Sequence, residues 1–145
     1  MRKLLLFVST AALLAGCQTA EDVLTTSSTA VAVTGPAASA IAGDMASRLT
    51  EQIGPASATS LKMDKDSSDF AAALEAALKG WGYTVITDGK VSTDIKPVEL
   101  AYSIDRADGQ MLARLSTPSV ALGRAYSTSA AGATPASPLS ILRRN

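Results

Sequence analysis

Few side chains in this 145-residue chain are equipped for chemistry, and Cys17 has the clearest setting. It is the only cysteine, and it closes the run Leu14-Ala15-Gly16-Cys17 at the end of an apolar stretch that follows Arg2 and Lys3. The chain contains no histidine, so Ser-His-Asp and Cys-His sites are excluded, and acid–base work would fall to carboxylates or lysines. Asp64, Asp66 and Asp69 cluster in Met63-Asp-Lys-Asp-Ser-Ser-Asp, but a calcium loop needs glycine at its sixth position, where Asp69 stands. Helix capping within a solvated loop is the simpler reading of that cluster. Gly80-Trp81-Gly82 follows a helical pattern instead of opening one, and Val85 occupies the third glycine's place of a dinucleotide fingerprint, so it reads as a helix stop. No catalytic, metal or cofactor residue emerges, and the chain is expected not to be an enzyme.

The apolar stretch Leu4 to Leu14 behind a cationic start is a secretory signal peptide, too short to span a bilayer as a mature helix. Its last four residues resemble the bacterial lipobox. There the cysteine thiol is diacylated, the peptide before it is removed, and the new amine is acylated. Cys17 is then the lipidation site. Each buried methylene of a palmitate-class chain adds about 0.8 kcal/mol, so two or three chains anchor a protein without any transmembrane helix. Gln18 follows the cysteine where an acidic residue commonly retains Gram-negative lipoproteins in the inner membrane. The expected location is therefore the periplasmic face of the outer membrane.

Removing residues 1–16 leaves 129 residues, enough for one modest domain with tails. The precursor balances 13 basic against 13 acidic residues, and loss of Arg2 and Lys3 leaves 11 against 13. No basic patch favours direct nucleic-acid binding. With Cys17 consumed by lipid, stability must come from a packed core.

Residues 17–35 read as the lipidated cysteine and a Thr/Ser/Ala/Val tether without a helical stripe. As a flexible coil its 17 residues after the cysteine would average roughly 20–25 Å end to end. Residues 36–127 read as the folded domain, and 128–145, rich in Ser, Ala and Gly with Pro135 and Pro138, as a disordered tail.

Within the domain, Gly35-Pro36 opens a helix in which Ile41, Met45, Leu49 and Ile53 recur beside Ala38, Ala42 and Ala46, and Gly54-Pro55 stops it. This stripe packs on its own domain or on a neighbour. A second helix has Ser67 or Ser68 as cap, Asp69 in its first turn, and Phe70, Leu74, Ala77, Leu78 and Trp81 along one face. Thr59 to Met63 and Tyr83 to Thr87 flank it as short strands. Val98, Leu100, Tyr102 and Ile104 alternate with polar or small residues as a half-buried strand, Asp108-Gly109 marks a hairpin, Met111 to Leu115 continues, and Val120 to Ser127 is the expected last strand. The result is an α+β fold, a small mixed or antiparallel sheet with one or two packed helices.

Trp81, Tyr83, Arg124 and Tyr126 are the candidate partner contacts, since Arg and aromatic residues recur among binding hot spots. For Trp81 the competing reading is core packing. For Arg124 it is a strand arginine whose stem lies along apolar surface.

The lipobox, the low-complexity tether, the helix ending Leu78-Lys-Gly-Trp-Gly-Tyr83, and the strands 98–103 and 111–115 leading to Gly123-Arg-Ala-Tyr126 resemble the TrbH family. These are conjugal transfer lipoproteins of plasmid mating-pair formation systems, particularly the Ti-plasmid type. The resemblance implies an outer-membrane lipoprotein of a type IV secretion apparatus that anchors or stabilises channel subunits, with other transfer proteins as partners. The helix-Gly-Tyr-strand segment also looks like small α+β modules at the periplasmic entrance of outer-membrane secretion pores, a likeness of fold that does not fix function. The alternative is a periplasmic lipoprotein that acts on the cell wall or binds a small ligand.

Overall fold

The computed structural model describes Val33 and residues 35–145. The expected signal peptide, the expected lipidation site Cys17 and nearly all of the expected tether lie outside the described residues.

Helix α1 spans Gly35–Thr50. Gly35 sits at φ +56°, a left-handed conformation that suits glycine, and its N–H donates to Asp69 Oδ2 at 3.1 Å. Pro36 follows in the first turn, where a missing N–H costs nothing. The helix stops three residues before the expected Ile53: the Gln52 amide tightens to an i−3 bond onto the Leu49 carbonyl, which the Ile53 amide shares. Its seven buried residues include the expected Ile41, Met45 and Leu49 with Ala38, Ala42 and Ala46. The stripe packs within its own domain, between the second helix and a five-stranded sheet. The alanines let α1 come close to both.

Strand β1 (Ser60–Lys62), helix α2 (Asp69–Gly80), strand β2 (Thr84–Ile86) and strand β3 (Val98–Glu99) form a parallel three-stranded unit in the order β2-β1-β3. Ser68 caps α2, its Oγ accepting from the Ala71 amide at 3.1 Å, and Asp69 sits in the first turn, where the dipole favours negative charge. At the other end the Tyr83 amide bonds to the Leu78 carbonyl and the Gly82 amide to that of Lys79. This is a Schellman motif with Gly82 at φ +94°. Leu78 and Tyr83, the residues that such a motif brings together, are both core residues.

Two expectations for this unit are corrected. The buried stripe of α2 is Phe70, Ala71, Leu74, Glu75 and Leu78, rotated toward Ala71 and Glu75, so Ala77 is only partly covered and Trp81 is 53% exposed. The strand expected to begin at Val98 is in fact two strands. Leu100 is a buried hinge, its amide still bonding to Lys62 of β1, and the chain then passes into a second sheet.

That sheet contains β4 (Ala101–Ala107), β5 (Gln110–Ser116), β6 (Val120–Ser129), β7 (Gly132–Pro135) and β8 (Ser140–Arg143). The β4–β5 hairpin turns on Asp108-Gly109, with φ +51° and +77°, a two-residue loop whose twist matches its strands. The reading of residues 128–145 as disordered is corrected: β7 pairs with residues 126–129 of β6 and β8 with residues 120–123, so the two short strands share one edge of β6. Backbone pairing supplies order that the Ser, Ala and Gly side chains do not. The alternating inward residues Met111, Ala113, Leu115, Val120, Leu122 and Tyr126 face α1, which completes an α+β fold with two packed helices.

Candidate interaction surface

Of the four candidate contacts, three are committed inside the domain. Tyr83 is buried, and its hydroxyl donates to the Gly54 carbonyl at 2.8 Å. Tyr126 is 1% exposed; its hydroxyl donates to Asp44 Oδ2 at 2.6 Å, and Arg124 Nη1 reaches the same oxygen at 3.0 Å. Arg124 Nε also donates to the Ser137 carbonyl at 3.1 Å, and Ser137 Oγ accepts from the Ala125 amide at 2.9 Å. Burial first, and then the Asp44 carboxylate, raise the Tyr126 hydroxyl above its ordinary range, so it remains a donor.

These bonds join α1, β6 and the segment before β8 around one carboxylate. Tyr83 and Tyr126, expected as partner contacts, are buried, and with the part-buried Arg124 they hold the fold together. The organising residue, Asp44, was not singled out in the sequence, where it occupies a polar face of α1. Its partners lie 80 and 82 positions away, and no local spacing announces them.

The acidic cluster is likewise used locally. Asp66 accepts from the Ser68 amide at 2.8 Å and from its hydroxyl, which holds the Asp66 carboxyl below its ordinary value. Asp69 accepts from Gly35. On α2, Glu75 is flanked by Lys79 at 2.6 Å and Lys65 at 2.7 Å, and hydrogen bonds from Lys65 and then Lys79 lower its carboxyl.

What remains outward is Trp81, together with Ile95, Ile141 and Leu142. Ile95 borders an open cleft of about 620 Å³ lined by Val91, Pro97, Val98 and Pro118 together with Lys62, Lys96 and Glu99. The molecule is polar in a geometric sense. Val33, where the described chain begins, lines one cleft with Arg106, Met111 and Thr128–Ala130, beside the tips of the β4–β5 and β6–β7 hairpins. The C-terminus lies at the other end, where the Arg144 amide bonds to the Ser119 carbonyl in the β5–β6 turn. The apolar cleft shares that far end through Pro118 and Ser119. Among the described residues no helix is long and apolar enough to cross a membrane.

By architecture, then, this is an α+β domain, a parallel three-stranded unit with a crossover helix joined to an antiparallel five-stranded sheet. A family model described as conjugal transfer protein TrbH matches residues 19–145. A protein of Sinorhizobium fredii (strain NBRC 101917 / NGR234), named "Probable conjugal transfer protein TrbH", is 73% identical over 148 residues, covering all of this chain and all of its own. The chain belongs to the TrbH family. No solved structure matches it.

Proposed function

We propose that this chain serves conjugal transfer as an acylated outer-membrane lipoprotein, fixed through Cys17 and holding channel proteins of the transfer apparatus near that membrane. The observation that carries the reading is the family match, which covers residues 19–145, all but the first two residues that cleavage at the lipobox would leave. The relative's printed name supplies the process; the lipobox supplies the anchor. Support for a role in binding, without catalysis, comes from the absence of histidine and from the internal use of Asp44, Arg124, Tyr126 and Glu75.

The geometry gives the proposal a direction. A tether leaving beside Val33 brings the hairpin-tip end toward the membrane, and the far end, with its apolar cleft and C-terminus, faces the periplasm. Tethering raises the effective concentration of that end for a partner without requiring a strong contact. Trp81 is the remaining aromatic candidate on the surface.

Metabolic labelling with an alkyne fatty acid should mark the wild type and not an exported Cys17→Ser form. Crosslinked pull-down from outer-membrane fractions of mating-competent cells should recover channel subunits with the wild type and fewer with the variant, and plasmid transfer should fall in parallel. Wild-type transfer by an unacylated, exported variant would refute the anchoring role. Recovery of no channel subunit would favour the cell-wall or small-ligand alternative.

A further inference from the structure

β4 is the long strand edge that the described residues leave open. Its seven residues pair with β5 in unbroken register, and no described strand pairs on its other side. The other edges are short: three residues in β2, two in β3, and four each in β7 and β8, with Pro135 ending β7 and Pro138 between them. Short strands and prolines are how sheets protect their edges, whereas a regular open edge is a template for another strand. β4 contains no proline.

The side chains of β4 say which strand fits. Tyr102, Ile104 and Arg106 lie on its inward face, and Ala101, Ser103, Asp105 and Ala107 on its outward face. Laid antiparallel on itself about its midpoint, Ile104, the strand sets Tyr102 opposite Arg106, Ser103 opposite Asp105 and Ala101 opposite Ala107. No like charges stand directly opposite, the two Asp105 carboxylates being diagonal neighbours on the outward face, and each facing pair is of a kind that stabilises a sheet or leaves it undisturbed.

The surroundings of Tyr102 add charge complementarity. Its hydroxyl donates to the Asp64 carbonyl at 2.8 Å and accepts from the Asp66 amide at 3.2 Å, beside an open cleft of about 450 Å³ lined by Asp64, Lys65, Asp66 and Glu99. Lys65 is engaged by Glu75 and Glu99 by Lys62, so Asp64 and Asp66 have no cationic partner among the described residues. Arg106 is exposed and makes no ion pair with a described residue. Self-pairing delivers the Arg106 of each copy to the Tyr102 and acidic cleft of the other.

We infer that the occupant of this edge is a second copy of the chain, the two domains joining β4 to β4 in one continuous antiparallel sheet with reciprocal Arg106–Asp64/Asp66 contacts. Such a two-fold interface is self-complementary and closes on itself. It stands apart from the anchoring role, which a monomer could also fill.

The test is sedimentation velocity of the mature chain as purified from the envelope in detergent. The wild type should be a dimer. Arg106→Glu and Asp64→Lys should each weaken dimerisation by at least about tenfold, since each turns attraction into like-charge repulsion at both symmetric sites, and the double variant should regain it. Both side chains are exposed, and the regain excludes misfolding as the cause. Ile104→Cys should form an intermolecular disulfide, because residues opposed across an antiparallel pair stand about 4.5–5.5 Å apart at Cα, within disulfide range. A monomeric wild type, a dimer indifferent to Arg106→Glu, or a strand of another protein crosslinked to β4 in cells would each overturn the inference.

Discussion

The two halves of this domain both set a carboxylate between two donors, yet for different purposes. In the half built from α1 and the five-stranded sheet, Asp44 gathers Arg124 and Tyr126 from 80 and 82 residues away, the Asp44 side chain 25% exposed and that of Arg124 17%. In the parallel half, Glu75 is held by Lys79, one helical turn on, and by Lys65 in the loop before the helix, and both lysine side chains are well exposed. The first arrangement ties elements together that the chain order keeps apart. The second reinforces a helix that its own caps already define.

Breaking the clamp should therefore cost more than breaking the Glu75 pairs, whose lysines are open to water although Glu75 itself is shielded. Asp44→Ala leaves a shielded arginine and a buried hydroxyl without their acceptor, and should lower unfolding free energy in urea by about 3 kcal/mol. Tyr126→Phe removes one hydrogen bond to a charged acceptor while Arg124 still neutralises it, and about 2 kcal/mol should be lost by the same measurement. In the parallel half the costliest of these changes should be in the backbone: Gly82→Ala places a side chain at φ +94° and should cost about 1 kcal/mol, although the added methyl meets only Ala56 at an ordinary 3.5 Å. Glu75→Gln should cost about 0.5 kcal/mol, because its partners are solvent-screened. If Glu75→Gln proved as damaging as Asp44→Ala, the contrast between the halves would collapse.

Acid sharpens the same contrast. The Glu75 carboxyl is lowered from an ordinary value of 4.5, so its contribution is fully present above that pH and is lost as pH falls through the lower folded-state value. The stability loss below about pH 4.5 should become shallower in Glu75→Gln, with the share that Asp66 supplies remaining. At the small end, Trp81→Ala should change unfolding free energy by less than about 0.5 kcal/mol, as expected for an exposed side chain, while pull-down of any partner that uses it should weaken.

What was legible in the sequence was what the chain settles within a few residues. Ser68, the Leu78-to-Tyr83 helix stop and the Asp108-Gly109 turn each fix their geometry locally, and the structure places them as read. What was missed depends on distant partners. β7 and β8 lack the β-branched density of an isolated strand and become strands because β6 is long enough to pair with both. Asp44 looked like a solvated helix charge until Arg124 and Tyr126 folded over it. Trp81 misled because the expected stripe took Ala77 and Trp81 as its axis, when the helix is turned to bury Ala71 and Glu75.

The position of β8 also bears on how the protein is made. Residue 143 pairs with residue 120, and the Arg144 amide closes onto Ser119. Because β8 follows all of its partners in the chain, one flank of the sheet stays open until that segment has been made. A sheet that waits for a strand so far along the chain can close only late, so the five-stranded half completes after the parallel half has all of its residues.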